Sequence, residues 1–181
     1  TEHHADGAGM TLAELCEATI TTSDNTAANL ILASYGGPAA LTAYLRQIGD
    51  TVTRLDRSEP DLNVRSSDAL MDTTSPQAMV GTLQKLLFGD ALAPQSRHRL
   101  QQWLLNNTTG GKRLKAGLPP DWRVGDKTGT NKTDANDIGV IWPPNRSSVL
   151  VAAYLAESQA DGAIQDATIA TVGKLVYDIV G

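Results

Sequence analysis

Residues 122–155 read WRVGDKTGTNKTDANDIGVIWPPNRSSVLVAAYL, and three strand-like stretches lie within them. Valine, isoleucine and alternation of apolar with polar residues predict β-strands at Trp122–Thr128, Ile138–Trp142 and Ser148–Leu155. The polar segment Asn131–Asn136 predicts a hairpin turn between the first two strands, and a short proline-containing link separates the second from the third. Consecutive strands with such short connections predict an antiparallel sheet.

Before residue 106 the apolar residues recur at helical spacing instead. A capping-box sequence, Thr11 to Glu14, opens the first of five predicted helices. The others are predicted at about Thr26–Ser34, Ala39–Ile48, from Ser75-Pro76 onward, and at about Ala93–Leu105. A last helix, Gly162–Ile179, carries an amphipathic apolar stripe. The stripe consists of Ile164, Ile169, Val172, Leu175, Val176 and Ile179.

Helices followed by a sheet and a closing helix predict the α+β fold class. We expect an all-α part at residues 1–105, which contains a long loop at about residues 54–74, and a sheet part at residues 106–181. One helix covers only one face of a sheet, so the other face is either wet or covered by residues outside this sequence. The polar start, Thr1–Gly9, is interpreted as a loop in which His3 and His4 are solvated.

Composition excludes several classes of function. The 181 residues are 41% hydrophobic and 19% charged with a net charge of -5, which is globular and argues against a nucleic-acid partner. No apolar run is long enough to span a bilayer. A single cysteine cannot form an internal disulfide or a cysteine-rich zinc site, and we expect neither a metal nor a cofactor.

Three short motifs carry the candidate chemistry: Ser23-Asp24-Asn25 between two helices, Arg57–Asn63 (RSEPDLN) in the long loop, and Lys127–Thr130 (KTGT) at a strand end. Each alone is typical of a turn or a solvated charge. Together, with 36 positions from Ser23 to Glu59 and 68 from Glu59 to Lys127, they resemble the class A serine β-lactamases. Flanking segments match as well, namely Met10–Cys16, Thr26–Leu30, Asp72–Pro76 and Trp122–Lys127.

The resemblance implies a β-lactamase/transpeptidase-like fold and hydrolysis of penicillins and cephalosporins through a serine acyl-enzyme, which gives antibiotic resistance. It implies a β-lactam as the small-molecule partner and a periplasmic or secreted location. Ser23 and Lys127 would handle the proton of the ring nitrogen, and Glu59 with Asn63 would activate the deacylating water. Substrate contacts are expected from Asn25, Thr128, Gly129, Thr130 and, by analogy with some members, Arg113.

Further expectations follow from the same resemblance. Arg57 and Asp72 would join the loop ends by an ion pair, and the peptide before Pro60 would be cis. The hairpin turn is about one residue tighter than is usual in the family. Cys16 either pairs with a cysteine outside this sequence or is a small buried thiol. Ser23, Lys127 and Glu59 are expected to line one crevice.

The nucleophile of this family is the serine of a serine-x-x-lysine motif, and no serine of the 181 residues has lysine three positions later. We therefore expect the C-terminal, larger part of an enzyme, without its N-terminal helix and two strands. Alone it would be inactive and poorly stable. The absent segment would precede Thr1 in the same gene product or belong to a separate chain, or the product is genuinely truncated.

Two alternative functions stay open. A penicillin-binding transpeptidase or carboxypeptidase would share the serine and lysine motifs, but Glu59 and Asn63 favour the hydrolase. A non-catalytic binding protein would use the same cleft without chemistry.

Overall fold

The computed structural model describes residues 7, 9–64, 66–68 and 70–181, so His3 and His4 lie outside the described residues. It consists of two compact units, Thr1–Thr82 and Leu83–Gly181, and each is described by itself. The helices are α1 (Leu12–Thr22), α2 (Asn25–Tyr35), α3 (Gly37–Gln47), α4 (Pro76–Leu87), α5 (Pro94–Leu105) and α6 (Gly162–Val180). The strands are β1 (Arg123–Thr130), β2 (Ala135–Trp142) and β3 (Val149–Leu155). The α+β class is confirmed, while the predicted domain boundary at residues 105 and 106 stays a prediction.

In the first unit, side chains define where the helices begin. The predicted capping box is present: Glu14 N donates to Thr11 Oγ1 at 3.3 Å, and Thr11 N donates to Glu14 Oε2 at 2.7 Å. Gly36 separates α2 from α3 with φ of 106°, a left-handed conformation that glycine adopts without steric cost. Ser75 Oγ accepts from Ala78 N at 3.2 Å, which confirms the serine cap of α4.

Asp50 organises the chain after α3. Its carboxylate accepts hydrogen bonds from the backbone of Val52 and Thr53 at 2.9 Å each, and from the hydroxyls of Thr53 at 2.6 Å and Thr82 at 2.8 Å. Burial by itself would raise the pKa of Asp50, but these donors stabilise the charged form and lower the pKa to about 2. The buried carboxylate thus replaces regular secondary structure as the acceptor for this turn.

The second unit contains the predicted antiparallel meander, in the order β1-β2-β3. Strands β1 and β2 extend further toward their hairpin than the sequence indicates, and only residues 131–134 connect them. Asn131 explains the short loop, because its Oδ1 accepts from the backbone of Thr133 at 2.9 Å and of Asp134 at 2.8 Å. These bonds close the turn without the two further residues that the prediction assigned to it.

The core of this unit lies between the sheet and α6. Its buried members are Leu114, Leu118, Trp122, Val124, Ala135, Ile141, Val151 and Ile169. Two glycines allow α6 to approach the 3₁₀ turn Leu114–Gly117: an added Cβ would lie 2.2 Å from Leu114 O at Gly173 and 2.0 Å from Ala170 O at Gly117. No other residue fits at such distances, so both glycines are required by packing.

The predicted apolar stripe of α6 is present, but only half of its members are buried. Ile169 is buried and Val172 and Val176 pack against the core, but three other members are exposed. These are Ile164, Leu175 and Ile179, at 56%, 54% and 80%. At about 100° per residue all six side chains fall within one arc of about 140°, in which the exposed members occupy one side and the packed members the other. The stripe is therefore one face of α6, and spacing alone does not tell which part of it is buried.

The opposite face of β1 is covered by α5. At Gly125 an added Cβ would lie 3.1 Å from Leu104 Cβ and 3.2 Å from Leu105 N, so the helix backbone approaches the strand closely there. Val124 and Asp126 point the other way, as alternation in a strand requires. The wet face that the sequence left open is therefore covered here by a helix of the chain itself. No helix among the described residues is long and apolar enough to cross a membrane.

Replacing Asp50 by asparagine tests the turn that this carboxylate holds. The amide group of D50N turns an N–H toward hydroxyl and backbone donors, so we expect a loss of about 2 kcal/mol in the free energy of unfolding, measured by urea titration near pH 7. Asp61→Asn, an exposed carboxylate of the same unit, is the matched control and should change stability by less than about 0.5 kcal/mol. Equal effects of the two substitutions would contradict the role given to Asp50.

Candidate active site

Ser23-Asp24-Asn25 forms the junction between α1 and α2. Ser23 ends α1 in the left-handed conformation, with φ of 59° and ψ of 41°, which costs a non-glycine residue of order 1 kcal/mol. Asp24 caps α2 by accepting from Ala27 N at 2.9 Å. The Asp24 carboxylate is therefore occupied in the turn, whereas the side chains of Ser23 and Asn25 on either side of it are exposed.

Asn29 of α2 attaches the long loop to the helix through the backbone of Glu59. Its Nδ2 donates to Glu59 O at 2.8 Å, and its Oδ1 accepts from Glu59 N at 3.0 Å. The peptide between Glu59 and Pro60 is cis, as predicted. An amide side chain that binds both backbone groups of one residue fixes that residue's position and orientation.

Glu59 and Asn63 are brought together by the turn that follows. Residues Asp61–Asn63 form a 3₁₀ turn, so Asn63 folds back and its Nδ2 donates to Glu59 Oε2 at 2.6 Å. The same amide group also lies 3.3 Å from Pro60 O. Glu59 is half-buried and Asn63 is exposed, so the carboxylate and the amide meet at the surface of the first unit.

The predicted ion pair between Arg57 and Asp72 is confirmed, with Arg57 Nε 2.7 Å from Asp72 Oδ2. Asp72 Oδ1 also accepts from the backbone of Asp56 at 2.7 Å and of Arg57 at 2.9 Å. Burial by itself would raise the pKa of Asp72, but these bonds and the charge of Arg57 lower it. Arg57 Nη2 further donates to Val64 O at 2.8 Å, so one buried carboxylate fixes both ends of the loop.

Lys127–Thr130 occupies the end of β1 nearest the hairpin. Backbone pairing joins Lys127 to Ile138, Thr128 to Asp137 and Gly129 to Asn136. In the sheet of the described residues β1 is one of the two outer strands, so its second edge carries backbone groups that β2 does not use. Lys127 Nζ donates to Thr128 O at 2.6 Å.

Arg113 lies behind this motif and is only 6% exposed. Its Nη1 donates to Gly129 O at 2.8 Å and to Asn136 O at 2.7 Å, and its Nη2 donates to Thr130 Oγ1 at 2.7 Å. Its Nε donates to Asp166 Oδ1 of α6 at 2.8 Å. Four of the five guanidinium hydrogens are engaged within the protein, so Arg113 acts first on Thr130 and the strand that carries it.

Within each unit the predicted site residues group as follows. Glu59 meets Asn63 in the first unit, and Arg113 meets Gly129 and Thr130 in the second. Ser23 and Asn25 share the turn between α1 and α2. The crevice expected from Ser23, Glu59 and Lys127 stays a prediction. In the part of the chain that the structure describes, no group of three or more His, Cys, Asp or Glu could hold a metal ion.

Sequence reasoning missed a partly buried polar network beneath β1, in which Asp126 and Asp137 are the buried members. Its members are Asn107, Thr109, Asp126, Asp137 and Asp166. A signal was present in the sequence, since an aspartate within a run of strand residues is exceptional at a buried position. Asp126 stands between Val124-Gly125 and Lys127, and Asp137 stands directly before Ile138. Alternation would have put Asp126 on the same face as Val124, which belongs to the core.

Comparison with known proteins assigns the chain to a family. A model described as the Beta-lactamase enzyme family matches residues 1–180. A β-lactamase of Streptomyces albus G is 46% identical over 98% of the chain and 61% of its own length. The carbapenem-hydrolyzing β-lactamase KPC of Klebsiella oxytoca is 46% identical over 96% of the chain and 60% of its own length. The structure of an ancestral (GNCA) class A β-lactamase is 60% identical, with a TM-score of 0.95, over 99% of the chain and 69% of that structure.

The chain therefore belongs to the β-lactamase enzyme family, and within it to the serine-dependent class A. It spans about three fifths of the length of the two curated relatives named above, at 61% and 60%.

Replacing Arg113 by lysine tests whether the planar guanidinium organises the second unit. One ammonium group cannot reach four acceptors on three elements, so R113K should lower the free energy of unfolding by about 2–3 kcal/mol in a urea titration. Arg123→Lys is the matched control. Arg123 is exposed on β1, and its guanidinium lies 5.2 Å from the centre of the Trp142 ring. If both variants lose the same small amount, the buried bonds of Arg113 contribute little to stability.

Proposed function

We propose that the protein carrying this chain opens the β-lactam ring of penicillins and cephalosporins through a serine acyl-enzyme and so confers antibiotic resistance. The observation that carries the proposal is the hydrogen bond of 2.6 Å between Asn63 Nδ2 and Glu59 Oε2. A carboxylate and an amide held side by side can bind one water from two directions. Hydrolysis needs such a water, whereas acyl transfer to an amine does not.

Glu59 is the base for that water. Its backbone is fixed by Asn29 through both the N–H and the C=O group, so the residue that carries the carboxylate is attached to α2. Asn63 orients the water while Glu59 takes its proton, and the resulting hydroxide attacks the acyl carbon. Because a 1 Å displacement can cost about 10²-fold in rate, a fixed backbone at the base is a catalytic requirement.

Ser23 and Lys127 manage the proton of the leaving nitrogen. The Ser23 hydroxyl donates to the β-lactam nitrogen as the carbon–nitrogen bond breaks, and the Lys127 ammonium lowers the cost of the charge that develops on that hydroxyl. The exposure of the Ser23 side chain supports this role, since it leaves the hydroxyl accessible to a substrate.

The end of β1 binds the substrate. Thr128 and Thr130 supply hydroxyls for its carboxylate, and Arg113 contributes through its bond of 2.7 Å to Thr130 Oγ1. The backbone N–H of Thr130 is one donor of the oxyanion hole, and Asn25 donates to the substrate's side-chain carbonyl. An added Cβ at Gly129 would meet only the Asn136 side chain, at 3.5 Å and beyond, so the chain's own packing does not require glycine there. Close approach of a substrate would require it.

The nucleophile comes from a serine-x-x-lysine segment, which none of the 181 residues supplies. We propose that this segment completes the enzyme, either ahead of Thr1 or as a separate chain. Export to the periplasm or out of the cell accompanies this function, because β-lactams reach the cell wall from that side.

The 181-residue chain tested alone should be catalytically silent. We expect turnover of a chromogenic cephalosporin to fall by about 10⁶-fold relative to a complete class A enzyme, as when the nucleophile of a catalytic unit is removed. Fusing the chain behind the serine-x-x-lysine segment of a class A relative gives a protein that we call the restored protein, and it should regain activity. Family-like rates from the chain alone would contradict the proposal.

Glu59→Gln in the restored protein separates hydrolysis from acylation. Glutamine cannot accept the water's proton, so we expect turnover to fall by about 10²–10⁴-fold. Mass spectrometry should then show the protein with the mass of one intact penicillin added. Asp61→Asn, which removes a carboxylate of the same loop two positions away, should neither stall nor accumulate this adduct.

The outcomes also separate the alternative functions. If the restored protein with Glu59 intact already holds the penicillin adduct with little turnover, and E59Q adds no further stall, the protein is closer to the penicillin-binding transpeptidases and carboxypeptidases. If a labelled penicillin binds the restored protein reversibly and no covalent adduct forms with any variant, the protein is a binding protein.

A further inference from the structure

Two buried acids in the second unit have no part in the proposed chemistry. Asp126 on β1 is 2% exposed and Asp137 on β2 is fully buried. The register pairs Asp126 with Gly139 and Asp137 with Thr128, so the two aspartates are diagonal neighbours on one face of the sheet. Ionised carboxylates are rarely buried unless each has a cation or several donors.

Glycine packing leaves room for the side chain of Asp126. A Cβ added at Gly110 would lie 1.7 Å from Asp126 Oδ2, and one added at Gly139 would lie 3.1 Å from Asp126 Cβ. Gly110 therefore opens the space that this carboxyl group fills, while at Gly139 an added Cβ would first meet the backbone of β1, 2.4 Å from Gly125 O. A residue that needs such space has a role that an apolar side chain of similar size would not serve.

The two carboxyl groups have too few donors for two negative charges. Asp126 Oδ2 accepts from Asn107 Nδ2 at 2.8 Å, and Asp137 Oδ2 accepts from Leu114 N at 3.1 Å. Asp137 Oδ1 is buried and has no hydrogen-bond partner that the described residues supply, if both acids are ionised. A proton on Asp137 gives that oxygen a partner, because it can then donate to Asp126.

The surrounding charges favour one proton rather than none or two. Burial raises the pKa of Asp137, the charge of Asp126 raises it further, and together they bring it to about 8. Burial likewise raises the pKa of Asp126, although bonds from Asn107 and Asp137 oppose the shift. The charged groups that face the pair are Lys115, Lys127 and Arg113, and the guanidinium of Arg113 is already bound to other acceptors.

Each acid is linked to one residue of the Lys127–Thr130 motif. From Asp126 the bonds pass through Asn107 to Thr109, whose hydroxyl lies 2.6 Å from Thr128 Oγ1. From Asp137 they pass through the backbone of Leu114 to its neighbour Arg113, which binds Thr130. The pair thus supports both hydroxyls that are proposed to bind the substrate carboxylate.

We propose that Asp126 and Asp137 share a single proton, and that this proton keeps Thr128 and Thr130 in position for the substrate. The inference rests on the proposed function, and it makes the two acids positioning residues rather than catalytic ones. Loss of the proton leaves two negative charges that repel each other beneath β1, and the bonds to both threonines weaken. The activity should therefore decline on the alkaline side with the titration of the pair.

The first test titrates the pair without using activity. In the restored protein labelled with carbon-13 at the aspartate carboxyls, the signals of Asp126 and Asp137 should move together with a midpoint near pH 8. Asp137→Asn keeps the shape and donates an N–H in place of the shared proton, so the midpoint near pH 8 should vanish. Asp121→Asn, an exposed carboxyl just before β1, is the control and should leave that midpoint in place.

The second test asks whether the proton positions the threonines. Each pH profile of kcat/KM is scaled to its own plateau. The pH at which the alkaline limb reaches half of the plateau should rise by at least one pH unit in D137N. In D121N it should equal the value of the unaltered protein. Independent titration of both acids near pH 4 would overturn the shared proton, and the unaltered protein decides this even if D137N does not fold. An unshifted limb would overturn the positioning role. A joint titration without any hydrolysis would instead count against the proposed function.

Discussion

The guanidinium of Arg113 is the contact on which the second unit depends. It is buried against two carbonyl oxygens, one hydroxyl and one carboxylate, which belong to β1, β2 and α6. Leaving any of these acceptors unpaired costs about 1–3 kcal/mol, so the three elements can move apart only at a large penalty. The hairpin end of β1 is therefore held from behind, on the side that faces Arg113.

In the first unit, side chains rather than a sheet supply the hydrogen-bond partners of the loop backbone. The long loop at residues 54–74 has little regular structure, and its backbone groups would be costly to bury unpaired. Asn29, Asp50 and Asp72 supply the partners, and together they bind backbone groups near the start of the loop and at Glu59. A loop fixed in this way can carry a base as accurately as a helix would.

Local patterns in the sequence predicted most of the fold. Capping residues such as Thr11 and Ser75 act within one turn of themselves, and strand alternation acts within one strand, so both could be interpreted correctly. The buried part of the apolar stripe of α6 could not be predicted, because Ile169 and Ile179 are the same residue type within one stripe. Only packing against the sheet distinguishes the buried Ile169 from the exposed Ile179. The pair Arg57 and Asp72 was predictable only through the family resemblance, since fifteen positions separate them.

The residues of the second unit and of the candidate site also divide into those that local spacing predicts and those that it does not. Glu59 and Asn63 are four positions apart, and one 3₁₀ turn suffices to join them. Asp126 and Asp137 escaped notice because their proximity follows from the register of β1 on β2, which the hairpin loop fixes and composition does not reveal. The position of Asp126 within a run of strand residues is a local signal of burial, but nothing local marks Gly110 as the residue that makes room for its carboxyl group.

The acids of the two units respond to pH in opposite directions. Asp50, with its pKa lowered to about 2, stabilises the first unit above its ordinary value near 4, and that contribution is lost as the pH falls from about 4 toward about 2. Asp137, with its pKa raised to about 8, binds more protons in the folded second unit, so its contribution is complete below about pH 4 and is lost progressively as the pH rises from about 4 through about 8. Between about pH 4 and pH 8, Asp50 of the first unit is ionised and Asp137 of the second unit holds its proton. Neutral pH lies closer to the pKa of Asp137 than to that of Asp50. A small rise in pH therefore removes the proton of Asp137, whereas a much larger fall is needed to protonate Asp50.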